Sequence, residues 1–170
     1  SLIFWFLLVP GPLGVVIYLM VHWSVVRERD AWQAQAFAHE LDIRQPEAVH
    51  TVIDRIWAEH GPLTSLVNNA AGNFVSRTED LSPRAFDAIA NIVFRGSFYM
   101  TLECGKRWLA EGRRASVISI LTTWVWNGSP YTVPSAMSKA GLHAMTQSLA
   151  VEWGGRGIRF NAIAPGLFPT

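Results

Sequence analysis

A serine and a lysine stand four residues apart in the stretch VPSAMSKAG, residues 133–141. The stretch predicts the start of a helix, and residues four apart lie on one helical face, so Ser135 and Lys139 should face the same surface. A lysine so placed can act as a fixed positive charge that tunes the pKa of a nearby acid. The acid expected beside it is a tyrosine, and a serine stands there instead. A structural interpretation stays open, with Ser135 as the N-cap and Lys139 as a solvated helix lysine.

The chain from residue 41 onward alternates between helix and strand patterns. An amphipathic helix is predicted over 46–61, and longer helices over 83–110 and 135–153, the first of these with Ser82 as its N-cap. Strands are predicted in TSLVNN, RASVISIL and IRFNAIAPG. Because such alternation requires crossover connections, the sequence predicts an α/β fold with a parallel sheet between helix layers over 41–170.

Small, polar and turn-forming residues follow each of these strands. The segments are NNAAGN, LTTWVWNGS and APGLFPT. Ligands of parallel α/β sheets bind beyond the carboxyl ends of the strands. We therefore expect the functional site to lie where these three loops meet.

Composition limits the classes of partner. Half of the 170 residues are hydrophobic and the net charge is +1, without a basic stripe, so a globular domain that does not bind nucleic acid is expected. A single cysteine, Cys104, excludes an internal disulfide and predicts a reducing, cytoplasmic compartment. The five histidines lack metal-ligand spacing, so we expect no metal site.

The first 26 residues carry no Lys, Arg, Asp or Glu. One interpretation is a membrane anchor, although prolines and glycines at 10–14 divide the run into pieces too short to span a bilayer. A signal peptide would need a positively charged start and a small-residue cleavage site, and neither is clear in these residues. The third interpretation is two buried parallel strands, LIFWFLLV and GVVIYLMV. Residues 27–40 are predicted to be a connecting segment.

Several motifs together resemble the short-chain dehydrogenase/reductase family. Residues 68–72, NNAAG, resemble its Asn-Asn-Ala-Gly turn, and Lys139 resembles the lysine of its Tyr-x-x-x-Lys signature. Asn161 with Pro165-Gly166 resembles its last strand and Pro-Gly loop, and Asp42 matches an aspartate that approaches the adenine. The resemblance implies a Rossmann-like three-layer α/β/α fold and a nicotinamide cofactor, with NADP favoured over NAD. The residues implied to contact this cofactor are Asp42, Asn68, Ala70, Gly72, Lys139, Pro165, Gly166 and Thr170.

The motif wording is most similar to the 2,4-dienoyl-CoA and enoyl-CoA reductase branch, where a serine also occupies the tyrosine position. This implies reduction of a C=C bond in an unsaturated fatty acyl-CoA, with Ser135 and Thr122 as hydrogen-bond donors to the substrate oxygen. Dienoyl reductases carry a tyrosine acid where this chain has Trp124, and an indole is no acid at neutral pH. Tyr131 is the nearest tyrosine and becomes the candidate acid if its loop folds inward.

The chain also departs from the family pattern. No glycine-rich phosphate loop precedes Asp42, the family's helix asparagine would fall at Val93, and the chain ends soon after the Pro-Gly loop. We therefore expect a partial domain. Two other functions stay open: a carbonyl or alcohol oxidoreductase, and a non-catalytic fragment with an association or membrane-anchoring role. The family also pairs the helices equivalent to 83–110 and 135–153, which implies a homo-oligomer.

Overall fold

The computed structural model describes residues 16–22 and 35–166, which belong to two units divided after residue 42. In the first unit, strand β1 (Val16–His22) pairs antiparallel with strand β2 (Gln35–Leu41). Two expectations need correction: residues 35–40 belong to a strand rather than to a connecting segment, and the described partner of β1 is antiparallel. Side-chain periodicity does not report which backbone segments pair, which is why the sequence missed this arrangement.

The other strand predicted near the N-terminus, residues 2–9, lies outside the described residues. The membrane-anchor interpretation of residues 1–26 falls largely outside them as well. Within 16–22 and 35–166, no helix combines the length and apolar character needed to cross a membrane.

The second unit is built on a parallel sheet of three strands. They are β3 (Ser65–Asn68), β4 (Ala115–Ile120) and β5 (Ile158–Ile163), with β4 in the centre. Helices connect each strand to the next, as a parallel arrangement requires. The predicted α/β class with a Rossmann-like parallel sheet is confirmed.

Among the described residues five α-helices accompany the sheet. All but the short α4 fall within or close to the three predicted helices, whereas α4 lies in a segment predicted to be a loop. They are α1 (Pro46–His60), α2 (Pro83–Ala90), α3 (Ser97–Ala110), α4 (Trp124–Asn127) and α5 (Val133–Gly154). The predicted cap of α2 is confirmed, because Ala85 donates its backbone N–H to the Ser82 hydroxyl at 3.1 Å.

A π-helical segment, Asn91–Gly96, joins α2 to α3, so the helix predicted over 83–110 is continuous but not regular. Gly96 packs against Ile43 so closely that a Cβ at this position would lie 2.5 Å from Ile43 Cδ1. Such π segments are rare and carry no residue signature, so the sequence did not indicate this one.

Burial alternates along the strands. Leu66 and Asn68 of β3 are buried while Ser65 and Val67 are exposed, and β4 follows the same alternation with Val117 at its centre. The described residues therefore contribute the sheet and the helix layer on one of its faces.

Candidate active site

The carboxyl ends of the three parallel strands lie side by side. Asn68 is opposite Ser119 in the register of β3 and β4, and Leu121 donates its backbone N–H to the Ile163 carbonyl at 2.7 Å. The loops after β3, β4 and β5 therefore leave the sheet at one edge, which is where the sequence places the functional site.

An apolar cluster supports this edge from below. Ile89, Val93, Leu121 and Leu142 are buried together, so α2, the π segment, α5 and the start of the loop after β4 are packed against one another. Val93, the position of the family's helix asparagine, is fully buried within this cluster. Val93 has no amide side chain, and the nearby Asn91 accepts a hydrogen bond from Arg95 Nη1 at 3.2 Å on the helix surface. The site therefore has no side-chain amide from this part of the helix.

Lys139 is the charged group of the site. It is only 5% exposed, and its Nζ donates a hydrogen bond to the backbone carbonyl of Ile120, the last residue of β4. Burial lowers the pKa of its ammonium group from 10.5 to about 8, because the charged form loses water. The group is therefore still mostly protonated at neutral pH, and the interpretation as a solvated lysine is wrong.

Ser135 lies on the same buried stripe of α5 as Lys139. It is 6% exposed and stands inside the first turn of the helix, whose N-cap position is Thr132. The N-cap interpretation of Ser135 is therefore wrong. One helical turn separates it from Lys139, as the spacing predicts.

Thr122 is the second residue of the loop after β4, two residues beyond the carbonyl that Lys139 contacts. It is half-buried, and its own carbonyl accepts the backbone N–H of Val125 at 3.2 Å, which starts the short helix α4. Trp124, the residue in the tyrosine position of the dienoyl reductases, is the half-buried first residue of that helix.

Tyr131 lies in the loop before α5 and has a left-handed backbone, with φ of 64°. Its carbonyl accepts the backbone N–H of Ser76 at 3.0 Å, so the loop after β3 is tied to the loop before α5. The side chain is 53% exposed, which places the phenol at the surface of the described unit.

The three residues expected to contact the cofactor after β3 differ in their surroundings. Asn68 is 1% exposed, and its Nδ2 donates to the Thr101 hydroxyl at 2.9 Å, so this amide ties β3 to α3. Ala70 is buried in the loop that follows. Gly72 lies against α2, because a Cβ there would be 3.2 Å from Ile89 Cδ1.

Of the remaining residues expected to contact the cofactor, only some lie in the described part of the second unit. Pro165 and Gly166 follow β5 at the same edge of the sheet, whereas Thr170 lies outside the described residues. Asp42 is the last residue of the first unit, which is described separately. Within the second unit, the structure brings Lys139, Ser135 and the Thr122 segment to one edge of the sheet.

Two features of the site had no sequence signal. One is the Ile120 carbonyl that holds Lys139, because a backbone acceptor is the same in every residue. The other is a groove of about 320 Å³ beside Leu121 and Ala164, which adjoins this edge but is not lined by Lys139, Ser135 or Thr122. It is lined by residues of α4, α5 and β5, where the Trp126 ring meets His143 edge-on with centroids 5.2 Å apart.

A family model described as "Enoyl-(Acyl carrier protein) reductase" matches residues 20–170. The chain belongs to the short-chain dehydrogenase/reductase family. The family consists of oxidoreductases that use NAD or NADP.

Known members of the family match most of this chain. The Caenorhabditis elegans protein named "Probable 2,4-dienoyl-CoA reductase decr-1.2" is 46% identical over 77% of this chain and 43% of its own length. A short-chain dehydrogenase from Bacillus anthracis has a structure that matches with a TM-score of 0.73 and 42% identity, over 74% of this chain and 53% of that one. A gluconate 5-dehydrogenase from Burkholderia cenocepacia, in complex with NADP and tartrate, matches with a TM-score of 0.73 and 25% identity, over 76% of this chain and 51% of that one. The chain therefore spans about half the length of these family members.

Proposed function

We propose that the protein is an NAD(P)H-dependent reductase of a C=C bond in an unsaturated fatty acyl-CoA, either a 2,4-dienoyl-CoA or a trans-2-enoyl-CoA. The observation that carries the proposal is the buried stripe of α5, where a protonated Lys139 follows a serine rather than a tyrosine by one turn. The relatives named as 2,4-dienoyl-CoA reductases support the same substrate class.

Lys139 suits a nicotinamide nucleotide because it is a buried cation with unused donors. An ammonium group has three N–H bonds, and one of them is directed to the Ile120 carbonyl. We assign the other two to the ribose hydroxyls of the nicotinamide nucleotide, with NADP favoured over NAD. The residues proposed to line the rest of the nucleotide are Asp42, Asn68, Ala70, Gly72, Pro165, Gly166 and Thr170.

When bound, the reduced nicotinamide supplies a hydride to a carbon of the conjugated acyl group. Negative charge then develops on the thioester oxygen of the substrate. Ser135 and Thr122 are proposed to donate hydrogen bonds to that oxygen, a role in which preorganised hydroxyls stabilise developing charge. A serine hydroxyl can donate a hydrogen bond but cannot match a tyrosine as a general acid or base near neutral pH, so Ser135 favours this reaction over alcohol or ketone chemistry.

Tyr131 is the proposed acid that delivers a proton to the substrate carbon. Its phenol is half exposed, so this role requires the loop before α5 to turn the side chain toward Ser135 and Lys139. The phenol can donate a proton, whereas the indole of Trp124 cannot at neutral pH.

The experiment is a titration of the full chain with NADPH and NADH, followed by tryptophan fluorescence, and then turnover of dienoyl-, enoyl- and 3-ketoacyl-CoA. We expect micromolar binding of NADPH and reduction of the dienoyl or enoyl thioester. The Lys139→Ala variant should lose affinity for the nucleotide, while Lys106→Ala, which changes an exposed lysine of α3, should keep it. Faster turnover of the 3-ketoacyl substrate would favour the carbonyl oxidoreductase. Absence of binding up to millimolar nucleotide would favour a non-catalytic role.

We also propose that the protein forms a homo-oligomer through α5 and the helical stretch 83–110, which comprises α2, the π segment and α3. The outward side of α5 is uncharged over the four turns from Met137 to Val151, and Glu152 is the first exposed charge after them. The members of this uncharged stripe are Met137, Ala140, Ala144, Ser148 and Val151. Phe98 of α3 is 43% exposed, and Val151 is 86% exposed. A helix without a charged face is normally covered on both sides, and an identical helix of a second copy would provide an uncharged cover.

A further inference from the structure

Four polar side chains are buried between α3 and the sheet, beneath the edge that carries the candidate active site. They are Asn68 of β3, Ser119 of β4, and Ser97 and Thr101 of α3, and each is at most 1% exposed. Polar groups buried this completely are stable only when hydrogen bonds replace the water that they lose.

The fold places these side chains in one layer. Asn68 and Ser119 are partners in the parallel register, so their backbones are about 4.8 Å apart. Asn68 Nδ2 donates to the Thr101 hydroxyl at 2.9 Å. Ser97 precedes Thr101 by one turn on the buried stripe of α3, a separation of about 6 Å. Two serine hydroxyls therefore lie near the Asn68–Thr101 hydrogen bond.

These two hydroxyls differ from the buried hydroxyls of Ser138 and Thr146. Ser97 Oγ and Ser119 Oγ have no hydrogen-bond partner among the residues that the structure describes. By contrast, Ser138 Oγ donates to the Pro134 carbonyl at 2.7 Å, and Thr146 Oγ1 donates to the Leu142 carbonyl at 2.8 Å. A buried hydroxyl left without a partner destabilises a protein, so two of them in one layer require an explanation.

We propose that Ser97 and Ser119 bind an internal water molecule that bridges α3 to β4. A buried water typically makes about three hydrogen bonds. The two serine hydroxyls supply two partners, and Asn68 supplies a third, because its amide has a second N–H besides the one given to Thr101. Ser119, which binds this water, directly precedes Ile120, whose carbonyl accepts the hydrogen bond from Lys139. The water therefore stabilises the strand end that positions the site. This role is independent of the reaction that the protein catalyses.

A double-mutant cycle tests the bridge through thermal unfolding of the full chain. Ser97→Ala and Ser119→Ala should each lower the unfolding midpoint by roughly 2–10 °C, because the water loses a partner and the remaining hydroxyl is left unpaired. The double variant should lose clearly less than the sum of the two, since it leaves no hydroxyl unpaired. The effects of alanine on helix and strand propensity are the same in the single and the double variants, so they cancel in the cycle.

Ser138→Ala provides the matched control, because its hydroxyl already has a local partner. Combined with Ser97→Ala, it should act additively. Water-to-amide NOEs near Ser119 should show a long-lived water that disappears in Ser97→Ala. Additive losses in the Ser97 and Ser119 cycle would overturn the bridge, and so would a rise in midpoint for each single variant, which would show two hydroxyls buried without water.

Discussion

Ser76 donates its backbone N–H to the carbonyl of Tyr131 at 3.0 Å, and Tyr131 is held at φ of 64° where it accepts this bond. Within the described residues, Tyr131 is the only residue other than glycine with a positive φ. The bond joins two loops that border the candidate active site. Residues in strained conformations tend to persist where the surrounding structure holds them for function.

Substitutions of Tyr131 should distinguish the effect of its left-handed backbone on stability from the effect of its phenol on turnover. Tyr131→Gly keeps the carbonyl and removes the strain of a left-handed L-residue, so it should be about 1 kcal/mol more stable than Tyr131→Ala in denaturant unfolding. Hydrogen exchange of the Ser76 amide should remain protected in the glycine variant. Equal stabilities of the two variants would show that the left-handed conformation is not retained in solution.

The phenol itself is tested by Tyr131→Phe. If Tyr131 is the acid, turnover of a dienoyl-CoA should fall by about 10²-fold while NADPH affinity is unchanged. Tyr99→Phe, which removes a hydroxyl on α3 that accepts a hydrogen bond from Arg95, serves as the control. Unchanged turnover in Tyr131→Phe would assign proton delivery to another group.

Lys139 should destabilise the fold at neutral pH. Its pKa is about 8 in the folded protein, against an ordinary value of 10.5 when the side chain is fully hydrated, as it is after unfolding. The unfolded chain therefore binds more protons between these two values, and stability rises with pH across this window. Lys139→Met should be up to about 3 kcal/mol more stable than the parent at pH 7, less any loss from the unpaired Ile120 carbonyl. The difference should shrink as the pH rises from 8 to 10.5. Nucleotide affinity of the parent should fall above pH 8, as the cation is lost.

Urea unfolding at several pH values measures this effect. The exposed Lys106 provides the control, because the change in unfolding free energy caused by Lys106→Met should not vary between pH 8 and pH 10.5 as that of Lys139→Met does. A Lys139→Met variant that is less stable than the parent at every pH would contradict the assignment of a desolvated cation.

Glu103 should stabilise the contact between α1 and α3 above its pKa. Burial raises the pKa of this carboxyl, but hydrogen bonds from His50, Arg107 and Lys106 together outweigh burial and bring it down to about 2. The stabilisation is therefore present above pH 4.5 and lost as the pH falls from 4.5 toward 2.

The expected loss in Glu103→Gln at pH 7 is roughly 1–2 kcal/mol, because solvent screens its exposed partners His50 and Lys106, and it should shrink steadily below about pH 4. Denaturant unfolding at pH 7 and pH 3 measures both values. Glu59→Gln removes a more exposed carboxylate that pairs with Arg55, so its loss should be below about 1 kcal/mol. A loss that does not change with pH would point to packing rather than charge.

A charge on the outer side of α5 should prevent association of the protein. Val151 is 86% exposed in the single chain, so Val151→Glu should fold normally but bury an unpaired carboxylate in the proposed interface. We expect the association constant from analytical ultracentrifugation to fall at least about 10²-fold. Ala58→Glu on the exposed face of α1 introduces the same single negative charge and should leave association intact. A parent protein that is already monomeric would refute the proposed interface.

Local sequence patterns determined the second unit well. The apolar spacing of residues 46–61 predicts α1, the β-branched run RASVISIL predicts β4, and Ser82-Pro83 predicts the start of α2. Each of these signals depends on neighbours within one or two turns, so it survives whatever the rest of the chain does. The family motifs then placed Ser135 and Lys139 on one helical face.

Tertiary structure alone decided the pairing of β1 with β2, the π segment before α3, and the backbone contacts that position the site. Lys139 is held by the Ile120 carbonyl, and the loop after β3 is held by the Tyr131 carbonyl. Every residue carries the same backbone acceptor, so no residue type marks the one that will be used. The sequence determined which side chains carry the chemistry, and the packing of distant segments decided which backbone groups hold them in place.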